Sequence, residues 1–274
     1  MILQERPSQV SVAPWLVGSI APPLGPSSGP LFYQPDPLLL KCAKNSVRYH
    51  FFCPACESSS LNTAPRNTVA VDYFCPVCKS PFQLKSQSKP LGNKIVDAAY
   101  SEMKRAILED RTPNLFVLHY DRETWAVRTV LLIPHFAFAL SAVERRKPLA
   151  STARRAGWVG CNILLKKIPV HARIPVISEG SPHTPREVRG SYNRLRPLEK
   201  LRVEKRGWTL DVLQVVQSLG KLEFTLADVY AHVDALAKLH PNNAHIRDKI
   251  RQQLQVLRDL GLLKFLGDGS YRLT

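Results

Sequence analysis

The 274-residue chain has no stretch approaching the roughly 18 consecutive apolar residues of a membrane-spanning helix. Its N-terminus also lacks the basic n-region of a secretory signal. The apolar stretch from Val10 to Leu24 follows Glu5 and Arg6 and is broken by Pro14, Pro22 and Pro23. With no export signal, a cytoplasmic location is expected, where thiols stay reduced. Acidic residues are scarce: 22 Asp plus Glu stand against 38 Lys plus Arg, a net charge of +16. That balance favours polyanions, nucleic acid first and an anionic membrane surface second. What is not scarce is core material. With 45% hydrophobic and 22% charged residues the chain is globular, and wholesale disorder is excluded.

The charge has a place. Residues 141–210 carry 16 Lys plus Arg and 5 Asp plus Glu, a net +11, whereas residues 211–274 carry 8 against 7. Residues 1–40 hold 8 of the 22 prolines and three charges, and read as a flexible tail. From Lys41 the pattern is globular. Val69–Phe74 and Pro81–Lys85 read as neighbouring strands. Asn93 is placed to cap a helix running to Asp110, with Ile95, Ala98, Ala99, Met103 and Ile107 on one face. Asn114–Tyr120 and Trp125–Ile133 read as two strands joined by a short turn, which makes an α/β or α+β arrangement.

The last stretch reads as three helices and a wing. Thr209 is placed to cap a helix ending at Gly220, and Thr225 a helix over 226–239 closed by Pro241. Asn242 or Asn243 opens a third helix, on which Ile246, Ile250, Leu254, Leu257 and Leu260 form one apolar stripe. A hairpin follows, turning at Asp268-Gly269. This is the winged-helix arrangement, whose third helix commonly reads the major groove. The outer face of that helix is expected to carry His245, Arg247, Lys249, Arg251, Gln252 and Gln253, donors for phosphates and base edges. The competing reading is a protein-binding winged helix with an ordinary polar face.

Six cysteines in a reducing compartment suggest metal or catalysis before disulfides. Cys53-Pro-Ala-Cys56 and Cys75-Pro-Val-Cys78 are separated by 18 residues, the four-thiolate zinc pattern. Four thiolates close the coordination sphere, so such a metal is structural. Cys42 and Cys161 have no partner pattern and read as ordinary buried or half-buried thiols.

Asp72 lies three residues before the second hook, and Gln83 and Lys85 shortly after it. Residues two apart on a strand share a face, so Gln83 and Lys85 project together. If the two strands pair, Asp72 reaches the same point. Asp72 and Gln83 are then candidate Mg²⁺ ligands, with Mn²⁺ as a substitute, and Lys85 a candidate to orient water and stabilise developing charge. A triplet of this kind is weak evidence by itself; the zinc staple, basic segment and winged helix strengthen it.

Two long strings, Arg146–Ile163 (RKPLASTARRAGWVGCNI) and Lys249–Asp259 (KIRQQLQVLRD), carry a resemblance over roughly residues 47–274. The chain resembles the DpnI family of methyl-directed, type IIM restriction endonucleases. The resemblance implies an α/β fold: a PD-(D/E)xK nuclease core with a zinc-binding insertion, plus a C-terminal winged-helix domain. The expected division is a tail over 1–40, a nuclease domain over 41–203 and a winged-helix domain over 204–274. The implied activity is Mg²⁺-dependent cleavage of double-stranded DNA at GATC containing N6-methyladenine. By position, Asp72 and Lys85 match the nuclease ligand and lysine, and Cys53, Cys56, Cys75 and Cys78 the zinc ligands. Trp158 falls where the family places an aromatic against the adenine methyl groups; an indole face can contact a methyl while excluding water. Without the family, Trp158 reads as a core residue. Arg154 and Arg155 beside it suit phosphate or guanine. Position 83 departs from the family, which has Glu there; a neutral ligand should weaken divalent-metal binding. The expectation is therefore a restriction endonuclease acting on adenine-methylated DNA, monomeric in solution and without an obligate protein partner. The competing expectation is a catalytically weak or inactive reader of methylated DNA.

Overall fold

The computed structural model describes residues 51–65 and 68–274. The expected 1–40 tail and Cys42 lie outside the described residues. The chain first forms β1 (Asn62–Thr63), β2 (Tyr73–Phe74) and β3 (Pro81–Gln87). Next come β4 (Lys94–Ala99), α1 (Tyr100–Leu108), β5 (Asn114–Tyr120) and β6 (Val127–Ile133). β7 (Val143–Arg145), β8 (Gly160–Leu164), β9 (Ile174–Ser178), β10 (Ser181–Pro182) and α2 (Pro185–Leu195) complete the first part. One seven-stranded mixed sheet runs β1-β2-β3-β5-β6-β9-β10, and a second sheet runs β4-β8-β7. β3 alternates buried Phe82 and Leu84 with half-buried Gln83 and Lys85. It pairs in parallel with β5 over six residues, from Phe82↔Asn114 to Gln87↔His119. The β5–β6 turn is closed by Asp121, whose carboxylate accepts from the backbone N–H of Glu123 and Thr124.

Two local expectations change. The strand expected over 69–74 is reduced to Tyr73–Phe74, because Ala70 is left-handed (φ 57°) in a turn and Val69 is exposed. The helix expected from Asn93 begins only at Tyr100. Residues 94–99 are a strand with Ile95 and Asp97 buried and Val96 exposed, a period of two. Its partner is β8, Ile95 opposite Ile163 and Asp97 opposite Cys161. Asn93 caps no helix; its Oδ1 accepts from the Lys166 N–H at 2.7 Å. Only Met103 and Ile107 of the expected stripe remain as the buried face of α1.

The C-terminal part consists of α3 (Val203–Ser218), β11 (Glu223–Thr225), α4 (Leu226–Tyr230), α5 (Val233–Leu239), α6 (Ile246–Asp259), β12 (Leu263–Gly267) and β13 (Ser270–Leu273). Thr209 does not cap α3 but lies inside it, fully buried, its one hydroxyl proton shared between the Lys205 carbonyl and Gln253 Oε1, each 2.8 Å away. Thr225 does cap, in a reciprocal box with Asp228, but the helix it opens ends at Tyr230 and a separate α5 follows. α6 starts at Ile246, with Asn243 Oδ1 accepting the His245 N–H just outside it. Ile250, Leu254 and Leu257 of α6 are fully buried, which stabilises the fold by about 2 kcal/mol each. The wing has three strands where two were expected, because β11 adds to β13 in the order β11-β13-β12. Its turn puts both Asp268 (φ 45°) and Gly269 (φ 72°) in the left-handed region, as the tight two-residue hairpin requires.

Polar contacts join the two parts. Arg206 of α3, almost wholly buried, pairs with Asp110 just beyond α1. Asp211 of α3 accepts from Ser141 through one oxygen and bonds His240 Nε2 at 2.9 Å through the other. The cleft between the parts encloses about 700 Å³, with Phe138 and Leu140 on one wall and Trp208 and Lys249 on the other. Among the described residues, no helix is long and apolar enough to cross a membrane.

Candidate functional site

The four hook cysteines meet. Their Sγ atoms lie within 4.8 Å of one another, with Cys53–Cys78 and Cys56–Cys75 at 3.5 Å. A tetrahedral zinc–thiolate site has sulfurs about 3.8 Å apart, so the donor set fits Zn²⁺. Burial alone would raise the Cys75 thiol, but the N–H groups of Cys78 and Val77 and the neighbouring thiols bring it down to about 6. Burial pushes the Cys53 thiol up, and a bound cation would favour its thiolate. The cluster is braced from α2. Arg189 donates to the carbonyls of Cys53 and Ser58 at 3.0 Å and to Glu57 at 2.8 Å, and Arg196 reaches the Ala55 carbonyl.

The second hook is also the tip of the β2–β3 hairpin. Cys75 N–H bonds the Ser80 carbonyl at 3.0 Å, and Tyr73 pairs with Phe82. Asp72 follows the same ladder: its N–H bonds the Phe82 carbonyl at 2.8 Å, and its Oδ2 accepts the Leu84 N–H at 2.9 Å. Leu84 lies between Gln83 and Lys85, so the carboxylate is brought against the main chain that carries both. Gln83 and Lys85 share the half-buried face of β3, and Asp72 is hydrogen-bonded to the backbone between them.

One partner was not foreseen. Lys85 Nζ lies 2.5 Å from Asp97 Oδ1, and the Asp97 side chain is only 3% exposed against 26% for Lys85. The helical reading of 93–110 concealed it, and the sequence carries no period-two signal there, since the exposed residue is apolar Val96 and the buried one is charged Asp97. Cys161, opposite Asp97, is buried as expected. Burial first, and the Asp97 charge second, raise its thiol to about 11.

Trp158 is half-buried, in a loop closed by the Leu149 N–H to the Trp158 carbonyl and the Gly157 N–H to the Leu149 carbonyl, each 3.0 Å. Its ring covers Gly160: a β-carbon there would meet two ring atoms at 2.8 Å. The Arg155 guanidinium sits 4.7 Å from the ring centroid. Arg154 and Arg155 are exposed. The loop is therefore a basic surface with an indole in it, not a core element.

His245, just before α6, and Arg247, Arg251 and Gln252 on it are exposed, and Lys249 is half-buried. Gln253 is fully buried against Thr209 and leaves the expected outer face. The basic residues form two flanks. Arg247 and Arg251 lean on Tyr230 at 5.1 and 5.8 Å, whereas Lys249 lies 5.9 Å from Trp208, which stacks on His240. At about 100° per residue, exposed Asp248 falls between the flanks.

Residues 41–201 match the family model DpnI, described as the Dam-replacing family, and residues 204–273 match DpnI_C, the Dam-replacing HTH domain. The chain belongs to the DpnI family. Membership in the DpnI family supports a methylation-dependent restriction endonuclease, and the helix-turn-helix match supports DNA binding. The family match spans the cysteine cluster, the Asp72–Lys85 hairpin and the Trp158 loop.

Proposed function

We propose that the protein is a methyl-directed endonuclease of the PD-(D/E)xK type, hydrolysing both strands of DNA at GATC containing N6-methyladenine. The observation that carries this reading is the Asp72 carboxylate on the Leu84 N–H, between Gln83 and Lys85 of one strand face. Hard oxygen donors suit Mg²⁺. Asp72 and Gln83 would hold it, with Mn²⁺ as substitute; when bound, the cation supplies Lewis acidity to a phosphate oxygen and to water. Lys85 orients the attacking water and stabilises charge developing on the phosphate. Cys53, Cys56, Cys75 and Cys78 hold structural Zn²⁺ and keep the hairpin in place. In this reading residues 41–203 cut, and residues 204–274 deliver duplex through His245, Arg247, Lys249, Arg251 and Gln252. Arg154 and Arg155 engage the backbone or guanine, and the Trp158 ring meets the adenine methyl groups. The protein acts as a monomer in solution.

A second reading is supported by the neutral Gln83: a reader that binds adenine-methylated DNA without cutting it. One plasmid prepared with and without GATC adenine methylation separates the two. Cleavage of the methylated form alone, with Mg²⁺, supports the endonuclease. Tight binding without cutting, unchanged by Mn²⁺, supports the reader. Equal treatment of both plasmids overturns methyl-directed recognition. Lys85→Ala should bind and not cut; retained cleavage moves the active site elsewhere.

A further inference from the structure

The nuclease reading explains Lys85 but leaves Asp97 unexplained. A carboxylate that is 3% exposed is a costly thing to keep in a fold unless an opposite charge accompanies it. Lys85 is that charge: among the described residues no hydrogen bond reaches Asp97 Oδ1, so the ion pair with Lys85 is what compensates it. The two residues come from different sheets: Lys85 from β3 of the seven-stranded sheet, Asp97 from β4 of the three-stranded one.

The position of Asp97 is itself fixed. It lies opposite Cys161 in the β4–β8 ladder, immediately before an irregularity beyond which Ala99 pairs with Gly160. Tyr100 then starts α1 with its N–H on the Val159 carbonyl at 3.0 Å, one residue beyond Trp158. A lysine has four rotatable side-chain bonds, and an unpaired one samples many positions. With Nζ on a carboxylate set in a ladder, it has one.

We propose that Asp97 is a positioning residue: it holds the Lys85 ammonium at the Asp72–Gln83 face and ties it to the sheet from which the Trp158 loop emerges. This rests on the nuclease reading and deepens it. Asp97 acts through Lys85. A misplacement of about 1 Å in such a group costs about a hundredfold in rate.

Asp97→Asn keeps the shape and removes the charge. The expected result is a folded protein with unchanged affinity for methylated duplex and unchanged Mg²⁺ midpoint. Its single-turnover cleavage should be about a hundredfold slower. An unchanged cleavage rate overturns the proposal. So does a slower rate with a raised Mg²⁺ midpoint, since Asp97 would then be a metal ligand. A second measurement needs no Asp97 variant. In the wild-type protein the Lys85 ammonium should give a slowly exchanging ¹H–¹⁵N resonance, assigned by its loss in Lys85→Met. Its absence overturns the held ammonium, and its presence supports it even if Asp97→Asn fails to fold. A wild-type protein that cuts neither plasmid overturns the nuclease reading, and the resonance then decides whether Asp97 holds Lys85.

Discussion

Thr209 Oγ1 donates to Gln253 Oε1 at 2.8 Å, and neither residue has any exposed surface. The bond joins α3 to α6 in the core of the C-terminal part. Thr209→Val strands the Gln253 oxygen and should lower stability by about 1–3 kcal/mol in chemical denaturation. Adding Gln253→Leu removes the stranded group, and the double variant should recover part of the loss. A double variant less stable than either single one would mean that the bond is not what links the helices.

Gly160 has ordinary backbone angles, so its need for glycine comes from the indole above it. Gly160→Ala should fold, yet displace Trp158 by the overlap of a new β-carbon. Binding to methylated duplex should weaken while unmethylated binding stays the same. Trp158→Ala should reduce that discrimination further, as competition binding with both duplexes would show.

The purified protein should contain one zinc per chain by metal analysis. Cys53→Ser should lose it and also lose cleavage, although Cys53 lies far in sequence from the Asp72–Lys85 hairpin. Full activity without the metal would separate the cluster from the hairpin it closes.

Gln83→Glu adds one negative charge to the proposed metal site. The Mg²⁺ midpoint for cleavage should fall relative to wild type in a metal titration. An unchanged midpoint would remove Gln83 from the ligand set.

Asp228 is held near 2, first by the Thr225 N–H, then by the Lys221 ammonium and the Thr225 hydroxyl. Its ordinary value is 3.8, so the folded state favours the charged form. The stabilisation is full above about 3.8 and is lost as pH falls through about 2. Asp228→Asn should flatten the acid side of the stability–pH curve over that interval and leave the neutral side parallel.

Several features were legible because local chemistry decides them. Paired C-x2-C hooks admit few readings, Gln83 and Lys85 share a face by parity alone, and Asp268-Gly269 supplies the two left-handed angles its turn needs. The segment 94–99 was not legible in this way. Ile95, Ala98, Met103 and Ile107 satisfy a helical stripe as well as a strand followed by a helix, and the partner that decides it, β8, lies some sixty residues on. Asp97 was hidden with it. Thr209 precedes an apolar run as a cap would, but the helix already begins at Val203, and the hydroxyl is accommodated inside by distant Gln253.

The β2–β3 ladder has only two residue pairs, whereas β3 and β5 share six. β3 is thus anchored from its other edge, and the two-residue strand β2, next to Asp72, is the more weakly held member of the pair. One residue of slippage would shift that carboxylate about 3.4 Å along β3. In the proposed function, an ion held by the four cysteines would fix this register without meeting DNA, much as a vernier stop sets a scale it does not measure.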